Sequence, residues 1–149
     1  MIIEFKTKTF EALTNKEFYE ILKLRSEVFI VEQNCVYQDI DGKDIEAHHL
    51  MCFIEGNLAG YARLLPTGIS YQEASIGRVA IAMQYRGLKI GKVLMQNAIV
   101  TCDKLFENTP IRIGAQAYLI KFYNSLGFTV QGKIYDEDGI PHVEMLRIK

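Results

Sequence analysis

The stretch Gly77-Arg78-Val79-Ala80-Ile81-Ala82-Met83-Gln84-Tyr85-Arg86-Gly87-Leu88-Lys89-Ile90-Gly91-Lys92-Val93-Leu94-Met95 carries an apolar strand into a basic, glycine-bearing turn and straight on into an amphipathic helix. The first N–H groups of a helix have no intrahelical acceptor and lie at its positive end, so this layout makes an anion site. Arg86, Lys89 and Lys92 add full charges to it. Spacing narrows the anion. A Walker turn needs four residues between its first Gly and Gly-Lys, then a hydroxyl. Here Leu88-Lys89-Ile90 separate Gly87 from Gly91, and Val93 follows Lys92. No hydroxyl is placed to hold magnesium, and the dinucleotide fingerprint G-x-G-x-x-G is absent. What remains is a phosphate-bearing ligand held without a metal.

Elsewhere the chain reads as alternating strands and helices. Ile3, Phe5 and Phe10 suggest a first strand, and Thr14-Asn15-Lys16-Glu17 is a capping box that predicts a helix start. Phe18, Ile21, Leu22, Arg25, Val28 and Phe29 follow at helical steps, an apolar face broken only by Arg25. The polar, acidic residues 33–47 form a loop of substrate-lid size. Strands are expected at 49–55 and 58–65 around a Gly56-Asn57 turn, then at 74–82, with a helix over 87–106. A strand at 110–115 leads to a helix at 117–126 closed by Gly127, and strands 128–135 and 142–148 pair through residues 136–139. This order predicts a single α/β (α+β) domain over 1–149, a sheet with helices on both faces.

Composition bounds the function. The 149 residues, 49% hydrophobic and 23% charged, suit one globular core, and the net charge of −1 argues against a nucleic-acid binder. No basic leader or membrane-length apolar run is present, and the three cysteines have no C-x-x-C spacing, so a cytoplasmic protein without disulfides or zinc is expected. Charge is unevenly divided. Residues 1–76 hold 7 Lys+Arg against 12 Asp+Glu, net −5, and residues 77–149 hold 10 against 6, net +4. An enzyme joining a cationic amine to a phosphorylated acyl carrier would use such halves. Calcium is excluded at Asp39-Ile40-Asp41-Gly42-Lys43-Asp44, since an EF-hand frame with Gly42 sixth would put His48 where a bidentate Glu is needed.

The basic turn resembles the coenzyme A loop of the GNAT acyltransferases, with Arg86 and Gly91 at its ends and Lys89 at the inner glycine position. Either the turn is right-handed at Lys89 or coenzyme binding is weakened, because Lys takes positive φ at a cost. The resemblance covers nearly the whole chain and is to the ElaA-like branch. It runs through Leu24-Arg25-Ser26-Glu27-Val28-Phe29-Ile30-Val31-Glu32-Gln33, Tyr37-Gln38-Asp39-Ile40-Asp41-Gly42-Lys43-Asp44 with His48, Phe122-Tyr123-Asn124-Ser125-Leu126-Gly127-Phe128 and Asp138-Gly139-Ile140-Pro141-His142. It implies that the central strands 74–82 and 110–115 splay apart. Coenzyme A would then lie against Val79, Ala80 and Ile81, with its phosphates at Arg86, Gly87, Leu88, Lys89, Ile90, Gly91 and Lys92 and its arm at Gln116 and Tyr123. Gln116 can equally cap the following helix.

The implied reaction is acetyl transfer from acetyl-coenzyme A to a small-molecule amine or a protein lysine by direct attack, without metal, nucleic acid or membrane. A homodimer is admitted. Such transfer needs an acid for the departing thiolate, a base for the ammonium and donors for the oxyanion, which the backbone N–H groups at the end of strand 74–82 would supply. Tyr123, with an ordinary pKa of about 10 against about 8.5 for a thiol, is the acid that the resemblance implies. Glu32, His48, His49 and His142 are the candidate bases, with Glu32 and His49 foremost. His48 and His49 are adjacent on a strand and point to opposite faces, so they cannot share a metal. Arg25, Asp39, Asp41 and His142 are candidate substrate contacts. Arg25 either binds a substrate carboxylate or pairs with Glu32 or Asp41, since a charge on an apolar face needs a partner. Two further readings stay open: a coenzyme A sensor without turnover, and an autoinducer synthase, which Leu24-Arg25-Ser26-Glu27-Val28-Phe29 faintly resembles although the chain has no Trp.

Overall fold

The computed structural model describes residues 1–107 and 109–148. Seven strands form one sheet in the order β1-β2-β3-β4-β5-β7-β6. They are β1 (Ile3–Thr9), β2 (His48–Ile54), β3 (Asn57–Leu65), β4 (Ala74–Ile81), β5 (Ile111–Gln116), β6 (Thr129–Glu137) and β7 (Ile140–Arg147). All neighbours are antiparallel except β4 and β5. Helix α1 (Asn15–Arg25) covers one face, and α2 (Ile90–Leu105) with the short α3 (Ile120–Asn124) covers the other.

The capping box closes as its residues require. Thr14 Oγ1 accepts from the Glu17 N–H at 3.0 Å, and the Thr14 N–H donates back to Glu17 Oε1 at 2.8 Å. Glu17 also pairs with Lys8 on β1, which ties the helix start to the sheet edge. The strand ends at Thr9, and Phe10 instead packs edge-on against Phe18 at 5.4 Å. Beyond Arg25 the helix continues as a π-helical stretch, Ser26–Glu32.

Two apolar layers sandwich the sheet. Ile21, Leu24 and Val28 pack with Met51, Tyr61 and Ala80 under α1, while Leu94, Met95 and Ala98 pack with Leu64, Ile76, Ile113 and Met145 under α2. His48 and His49 divide between these faces, His49 edge-on to Phe18 and His48 edge-on to Phe106.

Several boundaries differ from the sequence reading. The β2–β3 turn is Glu55-Gly56, both at positive φ, with Asn57 already paired to Ile54. Register with the buried residues of β3 outweighs the turn preference of Asn. Asp138-Gly139 alone, also both at positive φ, joins β6 to β7. Helix α2 begins only at Ile90, because Gly87 (φ 85°) and Lys89 (φ 60°) are left-handed. Gly127, at φ 94°, does close the α3 segment.

The site is positioned by one irregularity. Between the pairs Tyr61↔Ala80 and Arg63↔Gly77, β3 contributes Ala62 alone while β4 contributes Arg78 and Val79. Arg78 is the extra residue of a bulge and takes φ 49°. A bulge bends its strand and increases twist. Accordingly β4 pairs with β5 only at Ala74↔Ile111 and Ser75↔Arg112, and the two strands then part.

Candidate active site

Beyond Ser75 the edge of β4 that faces β5 has no strand partner among the described residues, so the sheet carries a V-shaped gap at its centre. Val79 and Ile81 pack on the α2 side of it, and Ala80 on the α1 side. The gap leads to the N-terminus of α2. There Lys89 is the N-cap residue, makes no side-chain cap, and holds the left-handed conformation that the sequence reading had offered glycine. The turn is therefore not right-handed at Lys89; a lysine keeps the glycine-type geometry at a backbone cost of about 1–2 kcal/mol. Arg86, Gly87, Leu88, Lys89 and Lys92 are exposed, Ile90 anchors the helix in the core, and a methyl on Gly91 would meet nothing within 4 Å. Open space, free helical N–H groups and two lysines fit a pyrophosphate.

Arg86 is held back from that turn. Its guanidinium donates twice to the Ile81 carbonyl, at 2.9 and 3.1 Å, and pairs with Glu32 Oε1 at 2.6 Å. Glu32, at the end of the π-helical stretch, thereby anchors Arg86 through Oε1.

Tyr123 lies in α3 with its ring edge-on to Phe122 and Phe128. It is 8% exposed, and its hydroxyl makes no hydrogen bond with any described residue. Burial pushes its pKa up to about 12, so the phenol stays protonated throughout the neutral range. Gln116 ends β5 opposite His142, and its side chain does not cap the following turn, which leaves the amide free for a ligand.

The acidic loop is not an open lid. Arg25 is fully buried, and it donates to Asp44 Oδ1 at 2.7 Å and to Asp39 Oδ2 at 2.8 Å. Arg63 binds Asp41 through two bonds of 2.8 Å and Asp44 at 3.0 Å. Arg78 reaches Asp39 at 2.8 Å and Asp41 at 3.2 Å. This corrects the assignment of Arg25, Asp39 and Asp41 to substrate: a side chain without exposure cannot meet a ligand, and both aspartates are spent on arginines. Arg25 pairs with Asp39 and Asp44, not with Glu32 or Asp41. The network also explains Arg78, a non-glycine residue in left-handed geometry, which two ion pairs hold in place at the bulge. Arg63 and Arg78 were missed, although a charge inside an apolar strand is itself a signal that a partner must exist.

His49 is corrected likewise. Its Nδ1 lies 2.6 Å from the Tyr61 hydroxyl and its Nε2 2.9 Å from the Asp44 carbonyl, and burial lowers its pKa, so it is a neutral core histidine with both nitrogens engaged. His142 differs. Its Nδ1 donates to the Ile140 carbonyl at 2.8 Å, which leaves Nε2 as the proton-accepting nitrogen, 3.3 Å from Glu137 Oε2. Its ring stacks on Tyr135 with centroids 6.0 Å apart.

A bulge-split sheet whose gap ends at a glycine- and lysine-bearing helix start is the framework of an acyl-carrier enzyme, and the chain belongs to the acetyltransferase (GNAT) domain family, which it matches over residues 9–148. It is 40% identical over 148 residues to protein ElaA of Escherichia coli strain K12, spanning 98% of this chain and 97% of that protein. An acyl-CoA N-acyltransferase from Pseudomonas aeruginosa superposes with a TM-score of 0.93 at 40% identity, covering 98% of this chain and 99% of the other. The crystal structure of Escherichia coli ElaA superposes with a TM-score of 0.92 at 39% identity, again with 98% and 99% coverage.

Proposed function

We propose that the chain transfers an acetyl group from acetyl-coenzyme A to a primary amine by direct attack within a ternary complex. The observation that carries this reading is the split between β4 and β5 after Ser75↔Arg112, which opens an unpaired strand edge onto the N-terminus of α2. An extended pantetheine arm would add to the edge at Val79, Ala80 and Ile81 as a strand does, with Gln116 across the gap. The helical N–H groups with Gly87, Leu88, Lys89, Ile90, Gly91 and Lys92 would hold the pyrophosphate, and Arg86 would join them on release from Glu32.

The carrier supplies the thioester, and the chain supplies proximity, an acid and a base. Tyr123, protonated and without a hydrogen-bond partner, would give its proton to the departing thiolate. His142 would take the ammonium proton at Nε2, with Glu137 stabilising the imidazolium formed. Unpaired backbone N–H groups of β4 would face the oxyanion.

Calorimetric titration with acetyl-coenzyme A tests the reading without knowledge of the acceptor. A micromolar dissociation constant, about −8 kcal/mol, is expected. The absence of heat at several temperatures would remove acetyl-coenzyme A as the carrier.

A further inference from the structure

Ile81 ends β4 beside the basic turn, and the backbone fixes the direction of its carbonyl. The Ala82 N–H donates to the Ala59 carbonyl at 2.8 Å, towards β3. The peptide that joins Ile81 to Ala82 is trans, so its C=O points opposite to that N–H, away from β3 and into the gap. An arm added to β4 as a strand needs this carbonyl as an acceptor.

Arg86 already occupies it. Its Nε and Nη2 donate to the Ile81 oxygen at 3.1 and 2.9 Å, and Nη2 also lies 2.6 Å from Glu32 Oε1. The backbone of Arg86 belongs to the phosphate turn, but its charge is folded back over the strand edge and neutralised by a carboxylate from another element, Ser26–Glu32. The two side chains are 42% and 23% exposed, so packing locks neither of them, and the pair can open without unfolding.

We propose that Glu32 is a positioning residue for coenzyme binding: it holds Arg86 across the Ile81 carbonyl, and acetyl-coenzyme A must break this ion pair to enter. The exchange favours the coenzyme. An amide N–H of the arm takes the carbonyl that Arg86 gives up, and the doubly charged pyrophosphate replaces a single carboxylate as partner of the guanidinium. The pair still lowers the apparent affinity, because only the fraction of molecules with Arg86 released can accept the arm along the whole edge. Glu32 thus tunes coenzyme affinity without touching the coenzyme.

This inference rests on the acyltransfer reading above, and calorimetric titration of the parent, Glu32→Gln, Arg86→Ala and the double variant separates the two. Glutamine keeps the length of glutamate and removes its charge, and both positions are exposed enough to take the changes without loss of the fold. Glu32→Gln should bind acetyl-coenzyme A about three- to five-fold more tightly than the parent, the upper scale of an exposed ion pair. Free coenzyme A should show the same factor, because the pair sits at the phosphate end of the arm. In the Arg86→Ala background the same substitution should change Kd by less than about two-fold, since the group that Glu32 holds is gone. Simple repulsion between Glu32 and the phosphates would instead tighten binding equally in both backgrounds. That result, or unchanged or weaker binding by Glu32→Gln, would overturn the proposal and leave the acyltransfer reading intact. Absence of binding by all four proteins would remove that reading and this inference with it.

Discussion

Arg25 and Asp44 meet at 2.7 Å with side chains 0% and 5% exposed, and the same Asp44 oxygen also accepts from Arg63 at 3.0 Å. One carboxylate thus compensates two buried guanidinium groups, one from the end of α1 and one from β3. Removing it leaves Arg25 with Asp39 and Arg63 with Asp41 as their remaining carboxylates and a buried guanidinium N–H on each without its acceptor. Asp44→Ala should cost about 3–5 kcal/mol in urea unfolding. A loss below about 1 kcal/mol would mean that Asp39 and Asp41 suffice.

Acid should unfold the protein in two stages. Burial alone would raise the carboxyls of Asp44 and Asp41, but Arg25 and Arg63 at Asp44, and Arg63, the Lys43 N–H and Arg78 at Asp41, outweigh it and hold both below the ordinary carboxylate range. Their contribution is complete above the unfolded value of about 3.9 and is lost as pH falls through the lower folded values. His49, lowered by burial, acts earlier: below about pH 6.5 the unfolded chain takes up a proton that the folded one refuses. Thermal midpoints at pH 8, 5 and 3 should therefore decrease in that order, and a flat profile would contradict the burial of these groups.

Lys89 allows strain and charge to be separated. Both Lys89→Ala and Lys89→Gly remove the ammonium, but only glycine relaxes the left-handed backbone at φ 60°. The alanine variant should be less stable than the glycine variant by about 1 kcal/mol by urea titration. Both should bind acetyl-coenzyme A more weakly than the parent, increasingly so at low salt.

Tyr123→Phe should lower kcat by about 10²–10⁴ and leave the Kd for acetyl-coenzyme A within about two-fold. Because the phenol ionises only at about 12, the parent should show no alkaline loss of kcat from this group below about pH 11. Equal turnover by variant and parent would remove Tyr123 as the acid.

His142→Gln should be most damaging where the amine arrives protonated. At about pH 7 kcat/KM should fall about 10²-fold, and the deficit should shrink towards pH 10, where solvent has already removed the proton. A deficit independent of pH would point to a positioning role for the ring against Tyr135.

The sequence determined whatever depends on neighbours along the chain. Thr14 and Glu17 are three residues apart, so their reciprocal bonds define the start of α1 without help from the rest of the fold. The strand, basic turn and helix of residues 77–95 are contiguous, and the anion site is legible because a helix start presents its N–H groups wherever it occurs. The alternation of strands and helices, and the opposite faces of His48 and His49, follow from periodicity alone. Tertiary structure decided what depends on register between distant strands. Arg25 and Arg63 each reach Asp44 across 19 residues, and Cys35 meets the Asp138 carbonyl across 103. A buried charge announces that it needs a partner but not which one, so Asp44 was passed over and His49 was read as a base. The bulge at Arg78, the parting of β4 from β5, and the packing of the Tyr71 and Tyr135 phenols over Gly114 exist only once the sheet has closed. Pairing energy is shared among many strand positions, and no short stretch of sequence carries enough of it to fix where two strands separate.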